Sequence, residues 1–375
     1  MARQRASRSP RRIVICGGGV AGVEALLALR ALGLISVEMH LVAPNRQFVY
    51  QPPAVAEPFD LAVTHLFDLA EIAGDQSAKL HVDSLARVDA EDRRVRLVSG
   101  VVLPYDALII AVGARRRDWL DGALHFAGAD SVAPFRALLE RLENGSDQRL
   151  SFVNPAGVSW TLPLYELALL TASHLADRGV IGVELTVVTP EADPLAMFGP
   201  AASRMLRNLL ANRGIALKAG ASAEKIQRGK LYLHPRATLE VDHVVTLAQL
   251  KGPAPLGLPS DAAGFIAVDE HSRVIGLEGV YAAGDGTTFS VKQGGIATQQ
   301  ADAAAEAIAA QMGTPRHAIS HPAHAEGHAP HRHRSDLPAL ADRGYRQLLR
   351  DRRQPTLVAT EQDRWPLPGT LPRPP

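Results

Sequence analysis

Two stretches far apart in the chain hold residues whose types and spacing can do chemistry. The first is Arg12-Ile13-Val14-Ile15-Cys16-Gly17-Gly18-Gly19-Val20-Ala21-Gly22. Its apolar run predicts a buried strand, and Val20 to Leu32 has helical spacing. Gly17, Gly19 and Gly22 form G-x-G-x-x-G between them. The first glycine permits a tight turn, the second lets backbone approach a pyrophosphate, and the third lets helix and strand pack closely. Such a motif carries little weight when unplaced. Directly after a strand and opening a helix, it reads as a dinucleotide cradle, to which Gly18 and Ala21 also belong. The next strand, Val37 to Val42, should end in an acidic residue for the adenosine ribose, about 20 residues past the last glycine. It runs instead into Ala43-Pro44-Asn45. Asn45, or backbone and water, must then serve the ribose.

The second stretch is Gly279-Val280-Tyr281-Ala282-Ala283-Gly284-Asp285-Gly286-Thr287, followed by Lys292-Gln293-Gly294-Gly295. A short apolar strand runs into Gly284-Asp285, and an Ala-rich helix opens at two glycines. Alone, a strand ending in Gly-Asp is a common accident. Paired with the first motif, it suits a bound flavin. The Asp285 carboxylate can accept hydrogen bonds from sugar-alcohol hydroxyls. The free N–H groups of Gln293 and Gly294 turn a positive dipole end toward an anionic group. Lys292 is a candidate catalytic residue, since a cation at the ring edge would stabilise an anionic reduced flavin.

Between them lies Leu103-Pro104-Tyr105-Asp106-Ala107-Leu108-Ile109-Ile110-Ala111-Val112-Gly113-Ala114-Arg115, a strand ending in the small residues Ala111, Val112 and Gly113. The three pieces, in this order, resemble the pyridine nucleotide–disulfide oxidoreductase superfamily. They are most similar to the branch of type-II NADH dehydrogenases, sulfide:quinone reductases and flavocytochrome c sulfide dehydrogenases. Lys292-Gln293-Gly294-Gly295 and Phe48-Val49-Tyr50-Gln51-Pro52 carry the likeness to that branch. The resemblance spans residues 11 to 312. It implies an α/β protein of two Rossmann-like dinucleotide-binding folds, the second inserted in the first. The implied boundaries are 12–118 and 249–313 for the FAD-binding domain, 119–248 for an NAD-type domain, and 314–375 for a tail. It implies FAD as cofactor, NAD(P)H as a transient donor, and a quinone-like or protein acceptor. It also draws attention to Glu166, because matching helices often carry a glutamate that faces flavin or nicotinamide. Tyr50 and Pro52 are candidates for lining the pocket, with core packing an equal reading.

The second fold departs from the pattern. Its first strand, Arg149 to Val153, should meet another glycine turn, but the chain reads Asn154-Pro155-Ala156-Gly157-Val158-Ser159-Trp160-Thr161-Leu162-Pro163-Leu164-Tyr165-Glu166. One glycine stands where three are wanted, with two prolines and a tryptophan beside it. The fold is expected to persist and nicotinamide binding to be weak. Glu191, just past the second strand, is expected to accept from a ribose and to disfavour NADPH. Two alternatives to a nicotinamide-linked enzyme stay open. One is a flavoprotein that oxidises a small reductant directly; the other is a non-catalytic flavin-dependent sensor or scaffold.

Composition narrows the classes. A formal net charge of +1 gives no global attraction to nucleic acid or anionic lipid. No apolar window is long enough to span a bilayer, though peripheral membrane contact stays open. One cysteine cannot form an intrachain disulfide, so thiol relay chemistry is not expected. Cys16 reads as a small buried residue. His40 and His174 read as satisfied core histidines. Lys79 to Ser99 alternates like an antiparallel meander. Met1 to Arg12 reads as a disordered basic arm without an export signal, which suggests a cytoplasmic protein. Residues 314–375 hold six of the fourteen histidines between His317 and His333, too irregularly spaced for a metal site, and read as a disordered tail or a shifted reading frame. The oligomeric state is not legible.

Overall fold

The computed structural model describes residues 10–313. The expectations for the N-terminal arm and for the tail lie outside the described residues. Contacts divide the chain into two units. Unit 1 takes the chain up to Val49, Leu66–Ala114, and the chain from Gly252; unit 2 takes Tyr50–His65 and Arg115–Lys251.

Two parallel sheets position the site. Their strands, in chain order, are β1 (Arg12–Cys16), β2 (Glu38–Ala43), β3 (Ala78–Val82), β4 (Ala107–Ile110), β5 (Leu124–Phe126), β6 (Arg149–Val153), β7 (Glu184–Thr189), β8 (Ala216–Ala219), β9 (His243–Leu247) and β10 (Val280–Ala282). The helices are α1 (Val20–Ala31), α2 (Leu69–Asp75), α3 (Val132–Glu143), α4 (Leu162–Asp177), α5 (Pro200–Asn212) and α6 (Gly294–Gln311).

Unit 1 is a parallel sheet of order β10-β4-β1-β2-β3. β1 lies between β2 and β4, with Cys16 level with Val42 on one side and Ile110 on the other. The order reverses at β1, and ligands of such sheets bind at the strand ends beside that reversal. Both faces are covered, which is why β4, and β1 after Arg12, are apolar rather than alternating. Helices α1 and α6 pack against each other, and α1 also packs on β1. On one face Val14, Cys16, Leu108, Ile110 and Val280 join Val88, Val95 and Leu97 in one core. Those last three come from an antiparallel meander, Leu85–Asp89, Arg94–Leu97 and Val102–Pro104.

One expectation is corrected here. The meander does not begin at Lys79. Ala78–Val82 is β3, paired parallel to β2 at the edge of the main sheet. An edge strand has one neighbour and a partly exposed surface, so it alternates as a hairpin strand does.

Unit 2 repeats the plan, with a parallel sheet of order β5-β9-β6-β7-β8 and its reversal at β6. The apolar stripe of α3 buries Val132, Phe135, Leu138, Leu139 and Leu142, as its spacing predicts. A three-stranded antiparallel sheet (Ser222–Gln227, Lys230–His234, Ala237–Glu240) contributes Leu231 and Leu233 to a core with Val153 and Val188. Arg115–Arg117 and Gln249–Lys251 pair as a two-stranded ribbon. No helix among the described residues is long and apolar enough to cross a membrane.

Candidate active site and nucleotide cradles

The glycine turn after β1 can be tested residue by residue by asking what a side chain would meet. A Cβ on Gly17, whose φ is +131°, would lie 2.0 Å from the Ala111 carbonyl oxygen. One on Gly22 would lie 1.8 Å from the Gly17 carbonyl oxygen. Both contacts are with backbone, which cannot give way, so these two positions are closed. A Cβ on Gly18 would press on Leu69 Cδ1 at 2.6 Å and Ala43 Cβ at 2.7 Å. Gly19 differs: its Cβ would meet nothing within 4 Å. It is the N-cap of α1, in extended conformation and with no side-chain cap. The turn therefore packs its first and third glycines against protein and leaves the second against open space at a helix N-terminus. That is the shape a pyrophosphate requires. The residues present fit the diphosphate of FAD.

The three sequence pieces meet at this turn. Gly17 backs onto Ala111, a Cβ on Gly284 would lie 3.1 Å from Ala21 Cβ, and one on Gly286 would lie 3.0 Å from the Gly113 carbonyl oxygen. Val112 is exposed and Gly113 half-buried. Asn45 is exposed just beyond β2.

The Gly-Asp turn is held from α6. The Gly284 N–H donates to Gln300 Oε1 at 2.8 Å, and Gln300 Nε2 donates to the Thr287 hydroxyl at 3.2 Å. That hydroxyl donates to the Gly284 carbonyl at 3.0 Å. Gln300 escapes the sequence reading. Its signal is a lone buried amide on the helix face that otherwise carries Ala297, Ala301, Ala304 and Ile308. Asp285 follows this braced turn and is half-buried.

Gln293 caps α6, its side-chain oxygen accepting from the Ile296 N–H at 3.0 Å. Gly294 has open space at its Cβ position. The Lys292 ammonium donates to the Thr287 carbonyl and lies 4.2 Å from the centre of the Phe265 ring. Burial lowers its pKa, against the upward pull of Asp285 and Asp261. Cys16 is fully buried in the sheet, and burial pushes its thiol up to about 12. It is inert as a nucleophile. His40 is buried with Nδ1 2.8 Å from His81 Nε2, and His174 Nε2 lies 2.7 Å from Glu143 Oε1.

The corresponding place in unit 2 is built otherwise. Between β6 and α4 runs an irregular loop carrying Pro155 and Trp160, and Pro163 follows in the first turn of α4. Pro163 has no N–H, and the Leu164 N–H already donates to the Thr161 carbonyl at 3.1 Å. Trp160 packs edge-on against Phe198, ring centres 5.7 Å apart. Asn154 is fully buried; its Nδ2 reaches Thr189 Oγ1 at 3.4 Å, and its Oδ1 has no hydrogen-bond partner among the described residues. This turn does not fit a dinucleotide phosphate as the turn of unit 1 does.

Glu191 is tied into unit 2 by four hydrogen bonds. Its Oε2 accepts from the hydroxyls of Tyr165 at 2.7 Å, Thr189 at 3.0 Å and Thr161 at 3.2 Å. Its Oε1 accepts from the Leu195 N–H at 3.1 Å. Three hydroxyls thus crowd Oε2, while Oε1 accepts one bond and keeps a lone pair. Thr161, at the N-cap of α4, makes no side-chain cap. Burial raises the Tyr165 phenol, the Thr189 hydrogen bond lowers it, and Glu191 raises it again. Glu166, one residue on, has no hydrogen-bond partner among the described residues, and burial pushes its carboxyl up to about 8. It is therefore largely protonated at neutral pH. Among the described residues no group of His, Cys, Asp and Glu could hold a metal ion.

Fold and cradle together define the class: flavoprotein oxidoreductases with two dinucleotide folds and FAD as cofactor. The family model for pyridine nucleotide-disulphide oxidoreductases matches residues 11–153 and 165–307, and the chain belongs to that family. The match omits 154–164, the glycine-poor turn of unit 2. The chain is 26% identical over 327 residues to the alternative NAD(P)H-ubiquinone oxidoreductase C1 of Arabidopsis thaliana, covering 76% of this chain and 63% of that protein. It thus spans less than two thirds of that relative's length. An NADH dehydrogenase-like protein of Mycobacterium tuberculosis is 26% identical over 292 residues, covering 73% of this chain and 72% of its own. Among solved structures, a sulfide:quinone oxidoreductase of Aquifex aeolicus superposes with a TM-score of 0.73 at 21% identity, covering 81% of this chain and 78% of its own. That likeness shows the fold.

Proposed function

We propose that this chain carries electrons through bound FAD from a reduced nicotinamide to a quinone-like or protein acceptor. The observation behind the reading is the turn of unit 1, closed at Gly17 and Gly22 and open at Gly19. Bound FAD supplies hydride acceptance and electron release, which no side chain of this protein can. Gly17, Gly18, Gly19, Ala21 and Gly22 admit the pyrophosphate, and Asn45 serves the adenosine ribose. Ala111, Val112 and Gly113 form the facing wall. Gly284 sets Asp285 against the sugar-alcohol hydroxyls. Gln293 and Gly294, at the start of α6, and Lys292 would stabilise the anionic edge of the ring when FAD is bound. Glu166 holds a proton at its carboxyl near neutral pH. The quinone-like acceptor is supported by the names of two similar proteins, one acting on ubiquinone and one on quinone.

The turn at 154–164 favours a second reading. With two prolines, one glycine and no family match there, a small reductant takes the place of nicotinamide as the direct donor in that reading. Anaerobic stopped-flow spectroscopy separates the two. Bleaching of the flavin by NADH or NADPH supports the first. Flavin bleached by dithionite and by neither nucleotide would remove the first and leave the second.

A further inference from the structure

Arginines of this chain commonly meet an acid: Arg12 meets Glu38, Arg141 meets Asp147, Arg149 meets Asp242 and Arg207 meets Asp193. The two-stranded ribbon of unit 2 departs from this. Arg115, Arg116 and Arg117 are all exposed, and so is Lys251 on the opposite strand. None of the four has an acidic partner among the described residues. The next carboxylate in the chain, Asp118, lies 3.6 Å from His125 Nδ1 instead. The register sets Arg115 level with Lys251 and Arg117 level with Gln249. Cross-strand partners and alternate residues share a face, so Arg115, Arg117 and Lys251 project from one side. Like charges directly opposite each other weaken a strand pair, and a two-stranded ribbon has little stability to lose. The excess is local, since the formal net charge of the whole chain is only +1. It serves the fold poorly and suits an anion from outside.

The position of the ribbon narrows what that anion is. A Cβ on Gly286 would lie 3.0 Å from the Gly113 carbonyl oxygen and 3.4 Å from Pro253 Cγ. Arg115 is two residues past Gly113, and Lys251 is two residues before Pro253. Two residues of chain reach about 7 Å at most. Both strands are thus tethered beside the Gly284–Gly286 turn, which the FAD reading assigns to the sugar alcohol of the flavin. We propose that Arg115, Arg117 and Lys251 form a docking face for an acidic electron-carrier protein. The inference rests on the reading of electron transfer to a protein acceptor, and it names the surface and the charge of that partner. An anionic membrane would also attract the cations, but interfacial binding draws on apolar side chains as well. The one apolar residue of the ribbon, Leu250, is half-buried. Exposed charges of this kind steer association and make it depend on salt.

The test is titration calorimetry of the oxidised, FAD-loaded full chain with an acidic plant-type [2Fe–2S] ferredoxin, which needs no turnover. Wild type is expected to bind and to lose about tenfold in affinity between about 20 mM and about 200 mM salt. The variant Arg115→Glu, Arg117→Glu, Lys251→Glu is expected to lose about tenfold or more at the lower salt. A charge-matched variant, Arg204→Glu, Lys218→Glu, Arg236→Glu, reverses three exposed cations elsewhere in unit 2 and is expected to stay within about threefold of wild type. Equal losses in the two triple variants would overturn the proposal, since binding would then follow net charge alone. So would salt-insensitive binding, or wild type that binds no ferredoxin. In that last case, co-sedimentation with phosphatidylserine vesicles that the ribbon variant lacks would assign the face to a membrane. Should the reversed ribbon variant lose its fold or flavin, Arg115→Gln, Arg117→Gln, Lys251→Gln decides by the same comparison. Failure of the nicotinamide-linked reading shows separately, as flavin that dithionite bleaches and NADH and NADPH do not, whatever the calorimetry gives.

Discussion

Single positions in the unit 1 turn answer different questions. Gly19 has a φ of −86° and open space around its Cβ, so a side chain there strains nothing in the protein. Gly19→Val is expected to fold with a near wild-type melting curve and to lack flavin absorbance. Gly22→Val meets backbone at 1.8 Å and is expected to lose folded yield as well. Equal flavin content in Gly19→Val and wild type would remove the pyrophosphate from this turn. Cys16 gives the opposite kind of expectation. Cys16→Ser should keep its flavin and any electron transfer, at a cost of about 1–3 kcal/mol for burying an unpaired hydroxyl. Thiol-dependent turnover lost in that variant would contradict a purely structural Cys16.

At the scale of elements, α6 does more than cover the sheet. Its Gln300 braces the Gly284 turn and so fixes where Asp285 stands. Gln300→Leu leaves a buried N–H unpaired and should cost about 1–3 kcal/mol. It should also weaken flavin retention, measured as FAD released on dilution; unchanged retention with unchanged stability would show that the brace is incidental. In α4 the element-scale expectation concerns pH. The folded-state pKa of Glu166 is raised to about 8, from an ordinary value of 4.5, by burial. Between those values the unfolded chain ionises while the folded one keeps its proton, so this group lowers stability as pH rises from about 4.5 to 8. Glu166→Gln should remove that slope. Its melting temperature relative to wild type should climb with pH and level off above about 8, by about 2–4 °C for each kcal/mol. A parallel pH dependence in both proteins would show that the carboxyl is solvated.

At the scale of the whole molecule, the fold occurs twice but the cradle once. Both sheets are parallel, five-stranded and reversed at their first long strand. Only the turn of unit 1 combines closed outer glycines with an open central one. The protein should therefore hold one FAD per chain. Flavin released by denaturation, divided by protein concentration, checks this; a ratio near two would mean that the loop of unit 2 opens to admit a dinucleotide.

The motifs around Gly17, Ala111 and Gly284 were legible in the sequence because each couples local backbone chemistry to a strand or helix start. Glycine spacing, an apolar run and an N-terminal helix pattern are short-range properties, and they point to dinucleotide binding without coordinates. The loss of the second glycine turn was legible for the same reason. What depends on partners distant in sequence was not. The alternation of Ala78–Val82 cannot tell an edge strand of a parallel sheet from a hairpin strand, since both cover one face. Gln300 lies 16 residues from the N–H it braces. Glu191 looks from its sequence like a free ribose acceptor. Only when α4 packs against β7 do Tyr165, 26 residues away, and Thr161, 30 residues away, reach its Oε2. Local spacing determines which groups a chain possesses; tertiary packing decides which of them are still free to meet a ligand.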